Sequence, residues 1–237
     1  MKIFFVYLKN DLQRLYEHRV VLFVSILTFV FSMAIAVFQD LDHTNFIYFN
    51  IFILPVIVFS VSMYIGREEN SLLPIMMGSV KPIVIALSKI LAAVIIEMIP
   101  IIAFTIIMRF IGIETSYLLL FLAYLLGVTL HIIIALSLTI ISRTSSILSI
   151  SYLAYILVFS ATAILYSNGL IPLSFQPIMI VSPAFLSAVL IDNILAISVF
   201  SETWLIIAAV VLQMIYAFLL VWFVIRPFYK VYLLTIE

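Results

Sequence analysis

The sequence predicts an all-α integral membrane protein, with an N-terminal interfacial helix, six transmembrane helices and both termini in the cytoplasm. Of its 237 residues, 67% are hydrophobic and 9% are charged, and the mean hydropathy is +1.38. A soluble domain carries about 25% charged residues, so the composition excludes a water-soluble protein and makes lipid the solvent of most side chains. The chain, 1–237, is expected to form a single transmembrane domain.

The first element is predicted over 4–17, where apolar residues recur at helical spacing. We expect the polar residues on the opposite face of this helix: Lys9, Asp11, Gln13, Arg14 and Glu17. This pattern is typical of an amphipathic helix in the membrane interface, and a frayed polar tail is the alternative. Charges at nearly every turn and the lack of a small-residue cleavage site argue against a removable signal peptide.

Six apolar segments reach the roughly 20 residues that a helix needs to cross a bilayer. They lie at 20–38, 46–65, 84–108, 117–141, 147–166 and 204–225. Backbone groups in lipid must pair internally and the alternation of barrel strands is absent, so helices are expected. With the N-terminus inside, every Lys and Arg except Arg109 falls on the cytoplasmic side, as the positive-inside rule requires.

The segment 167–203 is longer than a connection between two packed helices needs. Its apolar clusters predict short re-entrant helices in the outer leaflet, because a solvated loop would not keep such residues in water. A seventh span is the alternative. Pro172, Pro177 and Pro183 interrupt its first half, and a seventh crossing would place Arg226 and Lys230 outside.

The stretch REENSLLPIMMGSVKP is a polar island between the second and third spans. Asn70 or Ser71 is a suitable N-cap, Pro74 fits the first turn and Gly78 can end the helix, which predicts a short helix over 71–78. A helix of this length is unstable alone in water. It must therefore pack on the ends of its own spans or bind a partner protein, and the residues favour neither.

This island and the start of the third span resemble the cytosolic loop of type II ATP-binding-cassette (ABC) exporter permeases. The usual sequence pattern of those permeases is Arg-Glu, a variable residue, Gly-Thr-Leu, an apolar pair, Thr-Pro and, in the following span, Gly-Lys. The matching positions are Arg67, Glu68, Ser71, Leu72, Ile75 and Met76, followed by Lys89. The sequence departs from the pattern at Asn70, at Gly78 and Ser79, and at Ser88. The predicted elbow helix, six spans and long outer segment extend the resemblance over nearly the whole chain.

The resemblance implies that 71–78 is a coupling helix that docks on a separate nucleotide-binding ATPase subunit. The chain has no G-x-x-x-x-G-K-[ST] loop to hold a triphosphate, so ATP and Mg²⁺ are expected in that partner. This chain is then expected to bind no cofactor, metal or nucleic acid and to have no catalytic residues. A second permease chain, identical or related, would complete the pathway.

The family resemblance also implies a role in export across a bacterial plasma membrane, and the absence of cysteine is compatible with that location. The compact size is similar to Gram-positive permeases that export amphipathic peptides such as phenol-soluble modulins, and to bacterial drug-efflux permeases. A hydrophobic or amphipathic substrate is therefore expected: a membrane-active peptide, a drug or a lipid-like molecule.

Two further groups of residues are candidates for function. Glu97 and His131 are expected at similar depth in spans three and four and could form a hydrogen-bonded pair. Such a pair would either hold the two helices together or relay protons. The resemblance places spans two and five beside the pathway. The pathway residues would then be Phe49, Phe52, Phe59, Ser60, Ser149, Tyr152 and Tyr155. Ordinary helix packing explains the small and hydroxyl residues equally well.

Two other function classes are compatible with a membrane protein of this kind. A proton-coupled secondary carrier would use Glu97 and His131 and would work without a second protein. An intramembrane enzyme would need a nucleophile or a second catalytic acid at the same depth, and the sequence offers no obvious one.

Overall fold

The computed structural model of the protein describes residues 2–38, 44–68, 81–142, 144–195, 203–227 and 229. All regular secondary structure in these residues is helical. Six of the helices are long and apolar enough to cross a membrane. The predicted all-α membrane protein and its six spans are thereby confirmed.

The described helices are numbered in chain order, and α2, α3, α4, α5, α6 and α8 are the six spans. Their bounds are α1 (Lys2–Glu17), α2 (Val20–Val37), α3 (Thr44–Tyr48, Phe49–Ile53 and Leu54–Glu68), α4 (Pro82–Phe110), α5 (Tyr117–Ile141), α6 (Ser145–Tyr155, Ile156–Ala161 and Thr162–Ser167), α7 (Pro183–Ile194) and α8 (Thr203–Leu220 and Val221–Ile225). The predicted ends of the spans agree with these bounds to within one helical turn. The middle segments of α3 and α6 and the last segment of α8 are π-helical.

Local sequence explains several helix ends. Arg19 adopts a left-handed conformation with φ of 60°, which breaks the helix between α1 and α2 and forms an elbow. Pro82 begins α4 in the first turn, where a missing amide hydrogen costs nothing. Thr144 and Ser182 cap α6 and α7 by accepting a hydrogen bond from the backbone amide three residues later.

The spans form a core of two buried helices surrounded by more exposed ones. In α3 and α5, 67% and 61% of the most apolar stretch is buried, whereas the corresponding shares for α2, α6 and α8 are 22%, 22% and 17%. Helix α5 packs against α3, α4, α7 and α8. The outward faces of the peripheral spans carry large apolar side chains such as Phe29, Leu157 and Phe218, as lipid contact requires.

Helix α7 enters the bundle from the end opposite α1. Every residue from Ala184 to Asp192 is buried. Its last turn lies near the α4–α5 connection, where the Thr115 hydroxyl donates to the Ile194 carbonyl. Its first residue follows Ser182, whose hydroxyl donates to the Phe159 carbonyl well inside α6. With 12 residues, α7 spans about 18 Å, about half of a bilayer core.

Short helices rather than a seventh span therefore occupy the described part of 167–203. This part ends at residue 195 and contains α7, the 3₁₀ turn Leu173–Phe175 and the helix Gln176–Met179. None of these three helices is long enough to cross a bilayer.

A close contact at Gly127 allows α7 to pack this deeply. A Cβ atom on Gly127 of α5 would lie 2.8 Å from Ile51 Cγ2 of α3 and 3.0 Å from Ser187 Oγ of α7. Ser187 also donates to Gln213 Oε1 of α8 at 3.3 Å. The missing side chain at position 127 thus lets three helices meet, as small residues do in membrane helix packing.

We expect Gly127→Ala to lower the free energy of unfolding by about 1–3 kcal/mol, because the added methyl group overpacks this contact. Ala154→Val provides the control, since it adds apolar atoms at an exposed position of α6. The measurement is SDS-induced unfolding in mixed micelles. Equal stability of Gly127→Ala and the wild type would show that the contact is not tight.

Candidate functional site

Helix α1 packs on α4 through a face that contains a carboxylate. The side chains that face the bundle include Leu8, Asp11 and Leu15, and Asp11 is 6% exposed. The prediction that Asp11 lies on the polar face, opposite the apolar residues, is therefore wrong. The reason is a partner distant in sequence, which compensates for the cost of burying the charge.

That partner is the start of the third span. Lys89 Nζ lies 2.9 Å from Asp11 Oδ1, and both side chains are 8% exposed. The Ser88 hydroxyl lies 2.6 Å from Asp11 Oδ2 and 2.8 Å from the Ile85 carbonyl, so it can donate to either. Both carboxylate oxygens of Asp11 thus have a donor. Loss of either charge would leave the other buried without compensation.

The ion pair lies at the end of the bundle that contains α1, next to residues of α1, α3 and α4. A cavity of about 20 Å³ beside it is lined by Arg14 and His18 near the elbow, by Ser62 and Met63 of α3, and by Lys89. The chain segment 69–80 connects α3 to α4 at this end. We call this convergence of α1, α3 and α4 around Asp11 and Lys89 the charged junction.

The predicted coupling residues flank or fall within that connecting segment. Arg67 and Glu68 lie on the last turn of α3, and their side chains are outside the described residues. Ser71, Leu72, Ile75 and Met76, with the predicted helix 71–78, also lie outside the described residues. The assignment of these six residues to ATPase coupling stays a prediction.

A second cluster surrounds His131 in the core. Its Nδ1 lies 2.7 Å from the Gly127 carbonyl oxygen, and a carbonyl only accepts, so Nδ1 carries the hydrogen. In the neutral ring Nε2 is then an acceptor. It is buried and has no hydrogen-bond partner among the described residues. The ring lies between Phe52 of α3 and Tyr155 of α6, with centroid distances of 5.6 and 5.9 Å.

These rings belong to a longer aromatic column through the bundle. Tyr48 stacks on Phe52 at 5.3 Å, and Tyr155 contacts Phe159 at 5.3 Å. The Tyr48 hydroxyl donates to the buried carboxylate of Asp192 on α7. The column also adjoins two π-helical turns, in α3 and α6, that contact each other, and such turns are frequent at functional sites.

Glu97 of α4 and His131 of α5 have different neighbours in the core. Glu97 lines a small cavity of about 10 Å³ together with Phe59 and with Ile132, the neighbour of His131 in sequence. Consecutive helix residues point about 100° apart, and His131 faces Phe52 and Tyr155 instead. In the described part of the chain, no hydrogen bond links Glu97 to His131, and Glu97 Oε2 has no partner. The expected hydrogen bond between Glu97 and His131 is therefore not made in this conformation.

The predicted pathway residues divide into two groups. Phe52, Phe59, Ser60 and Tyr155 are buried within the chain, and Ser60 bonds to the Ala135 carbonyl of α5. Phe49, Ser149 and Tyr152 are half-buried. Helix packing therefore accounts for the first group in this conformation. A role of either group in binding substrate stays a prediction.

Comparison with family models, curated proteins and solved structures gave no match. Among the described residues, no three His, Asp or Glu side chains are grouped to hold a metal ion. The charged junction and the cluster around His131 are therefore the features of this chain from which a function can be inferred.

Sequence reasoning missed several residues that build these clusters. Asp11, Gly127 and Asp192 depend on partners 60 or more residues away. A usable signal was present for two of them: the adjacent Ser88 and Lys89 at the start of an apolar span need a buried polar partner, and Asp192 interrupts the apolar run of 184–195.

We expect Asp11→Asn and Lys89→Met each to lower the free energy of unfolding by about 3–5 kcal/mol, because each leaves an unpaired buried group. The exchanged pair Asp11→Lys with Lys89→Asp should recover part of that loss. Lys9→Met, at an exposed position of the same helix, is the control and should leave stability unchanged. If the single variants unfold like the control, the ion pair does not hold α1.

A double-mutant cycle of Glu97→Gln and His131→Gln should give additive effects on unfolding, within about 0.5 kcal/mol. The reason is that no hydrogen bond links the two side chains among the described residues. A coupling energy well above that limit would mean that they interact after all, and it would favour the proton-relay hypothesis.

Proposed function

We propose that this chain is the transmembrane permease subunit of an ABC exporter in a bacterial plasma membrane. The observation that carries the proposal is the charged junction. The segment 69–80 is continuous with α3 and α4, and the Asp11–Lys89 ion pair of the charged junction connects α4 to α1. A force applied to this segment would therefore reach spans two and three and the N-terminal helix together, as a coupling element requires.

The surface of α1 supports an interfacial position for this helix. Phe5, Val6 and Tyr16 are exposed on its outer side, near the exposed polar residues Lys9 and Gln13. A helix that presents both kinds of side chain outward fits the boundary between lipid and water. Lys9, Lys89 and Arg226 lie toward the α1 end, and Glu114 and Asp192 toward the other, which supports a cytoplasmic α1 end.

In this proposal a separate ATPase subunit binds ATP and Mg²⁺ and docks on the helix predicted over 71–78. A second permease chain, identical or related, completes the pathway, and lipid surrounds the assembly. The substrate is hydrophobic or amphipathic, as the apolar and aromatic side chains of spans two and five favour. Because Phe52 and Tyr155 are buried, substrate contact with them requires α6 to move away from α3.

A proton-coupled secondary carrier is the runner-up and has less support. Its two candidate residues, Glu97 and His131, make no hydrogen bond to each other among the described residues. A relay through this pair would need a further group between them to carry the proton.

The proposal is tested by co-purification in mild detergent from cells that co-express a candidate nucleotide-binding ATPase subunit. The native chain should retain the ATPase, and Leu72→Asp and Met76→Asp should lose it, because a charge would disrupt an apolar docking face. Leu173→Asp is the matched control, since Leu173 is 64% exposed at the opposite end and should have no effect on the complex. A native chain that purifies alone, or retention by all variants, would contradict the proposal.

A further inference from the structure

The cluster around His131 contains a hydrogen-bond acceptor, the ring atom Nε2, that no described residue pairs with. Nδ1 is committed to the Gly127 carbonyl, so Nε2 of the neutral ring offers a lone pair. The Tyr155 hydroxyl, on the ring that packs against His131, also has no partner among the described residues. His131 is fully buried and Tyr155 is 7% exposed. Unpaired polar groups at this depth are costly, so a ligand that pairs with them has a physical advantage.

The surroundings select the chemistry of such a ligand. Two uncharged aromatic side chains, Phe52 and Tyr155, pack against the His131 ring. A charged ligand group buried among these rings would lose its hydration without a counter-ion, and the lone pair of Nε2 further disfavours an anion. An uncharged hydrogen-bond donor, a hydroxyl or an amide N–H, is therefore favoured.

One span separates this cluster from the outside of the bundle. Tyr155 belongs to α6, whose outer face exposes Leu153 and Leu157. Directly after Tyr155, the helix passes through the π-helical turn Ile156–Ala161. A π-helical turn interrupts the regular α-helical hydrogen-bond ladder, and helices bend at such interruptions. Bending of α6 there would move Tyr155 and expose His131 toward lipid.

We propose that His131, Phe52 and Tyr155 form a binding site for the uncharged donor group of an amphiphile, reached through movement of α6. His131 Nε2 accepts the hydrogen bond from the ligand's hydroxyl or amide, and the aromatic rings contact the adjoining apolar part. This inference rests on the proposed function, because it assigns the site to substrate recognition. The binding step itself needs only this chain, and the ATPase plays no part in it.

The experiment uses the full chain in lipid nanodiscs with ¹⁵N-labelled histidine, titrated with 1-decanol. The chain has three histidines, so His18→Gln and His43→Gln assign the ring signals. Decanol should shift the His131 Nε2 resonance to saturation. Decyl methyl ether, which has a similar chain but no donor, should leave it unchanged, and decylammonium should bind about tenfold or more weakly than decanol.

A variant then tests whether the lone pair causes the binding. His131→Phe keeps an aromatic ring but removes the acceptor, so the Kd for decanol, from ligand-dependent thermal stabilisation, should rise about tenfold, in keeping with the loss of one hydrogen bond. Phe110→Leu, at an 89% exposed position on α4, controls for changes in general partitioning into the lipid.

Two results would overturn the inference. If the wild-type Nε2 resonance is already that of a hydrogen-bonded nitrogen and does not respond to decanol, a buried water satisfies His131 and the residue has a structural role. If decanol and its ether shift the resonance equally, the response reflects lipid partitioning only. The wild-type NMR titration decides this even if His131→Phe fails to fold. Failure of the ATPase co-purification with intact decanol binding would contradict the exporter proposal alone.

Discussion

The hydrocarbon core of a membrane offers no hydrogen-bond partners, and this constraint organises the described structure. Several polar side chains in the spans bond to a carbonyl one turn earlier in their own helix. Thr129, His131, Ser137, Thr139 and Thr162 all do so. This arrangement satisfies one atom of each side chain without a partner helix. The atoms that remain unpaired, such as His131 Nε2 and Glu97 Oε2, are the points where the constraint is not met and a functional explanation is needed.

Packing determines where helices can approach closely. With no hydrophobic driving force between helices in lipid, close van der Waals contact and interhelical hydrogen bonds hold them together. Gly127 allows Ile51 and Ser187 to meet against α5, and Ser187 continues to Gln213 on α8. This single contact region connects the core spans with the buried helix α7. It lies one turn from His131, so the position of the histidine ring depends on the same packing.

The buried carboxylates of Asp11 and Glu97 have different environments. Asp11 has a cation and a hydroxyl at hydrogen-bond distance, which makes it part of a structural connection between α1 and α4. Glu97 has an unpaired oxygen beside a cavity of about 10 Å³, on the order of the smallest space that holds one water molecule. The ion pair therefore explains how α1 is attached, whereas Glu97 contributes no described connection between helices.

The sequence by itself determined the fold class, the six spans and their ends to within a turn, because the length of an apolar run and its flanking Pro, Ser and Thr residues act locally. It also predicted short helices within 167–203, and the described part of that segment, which ends at residue 195, contains them. Only the tertiary structure decided that Asp11 pairs with Lys89, that Glu97 and His131 make no hydrogen bond to each other, and that the rings of Phe52 and Tyr155 pack against His131. These contacts depend on the rotation of each helix about its axis. That rotation is set by packing between segments distant in sequence, and a nearly uniform apolar run carries little periodic signal to predict it.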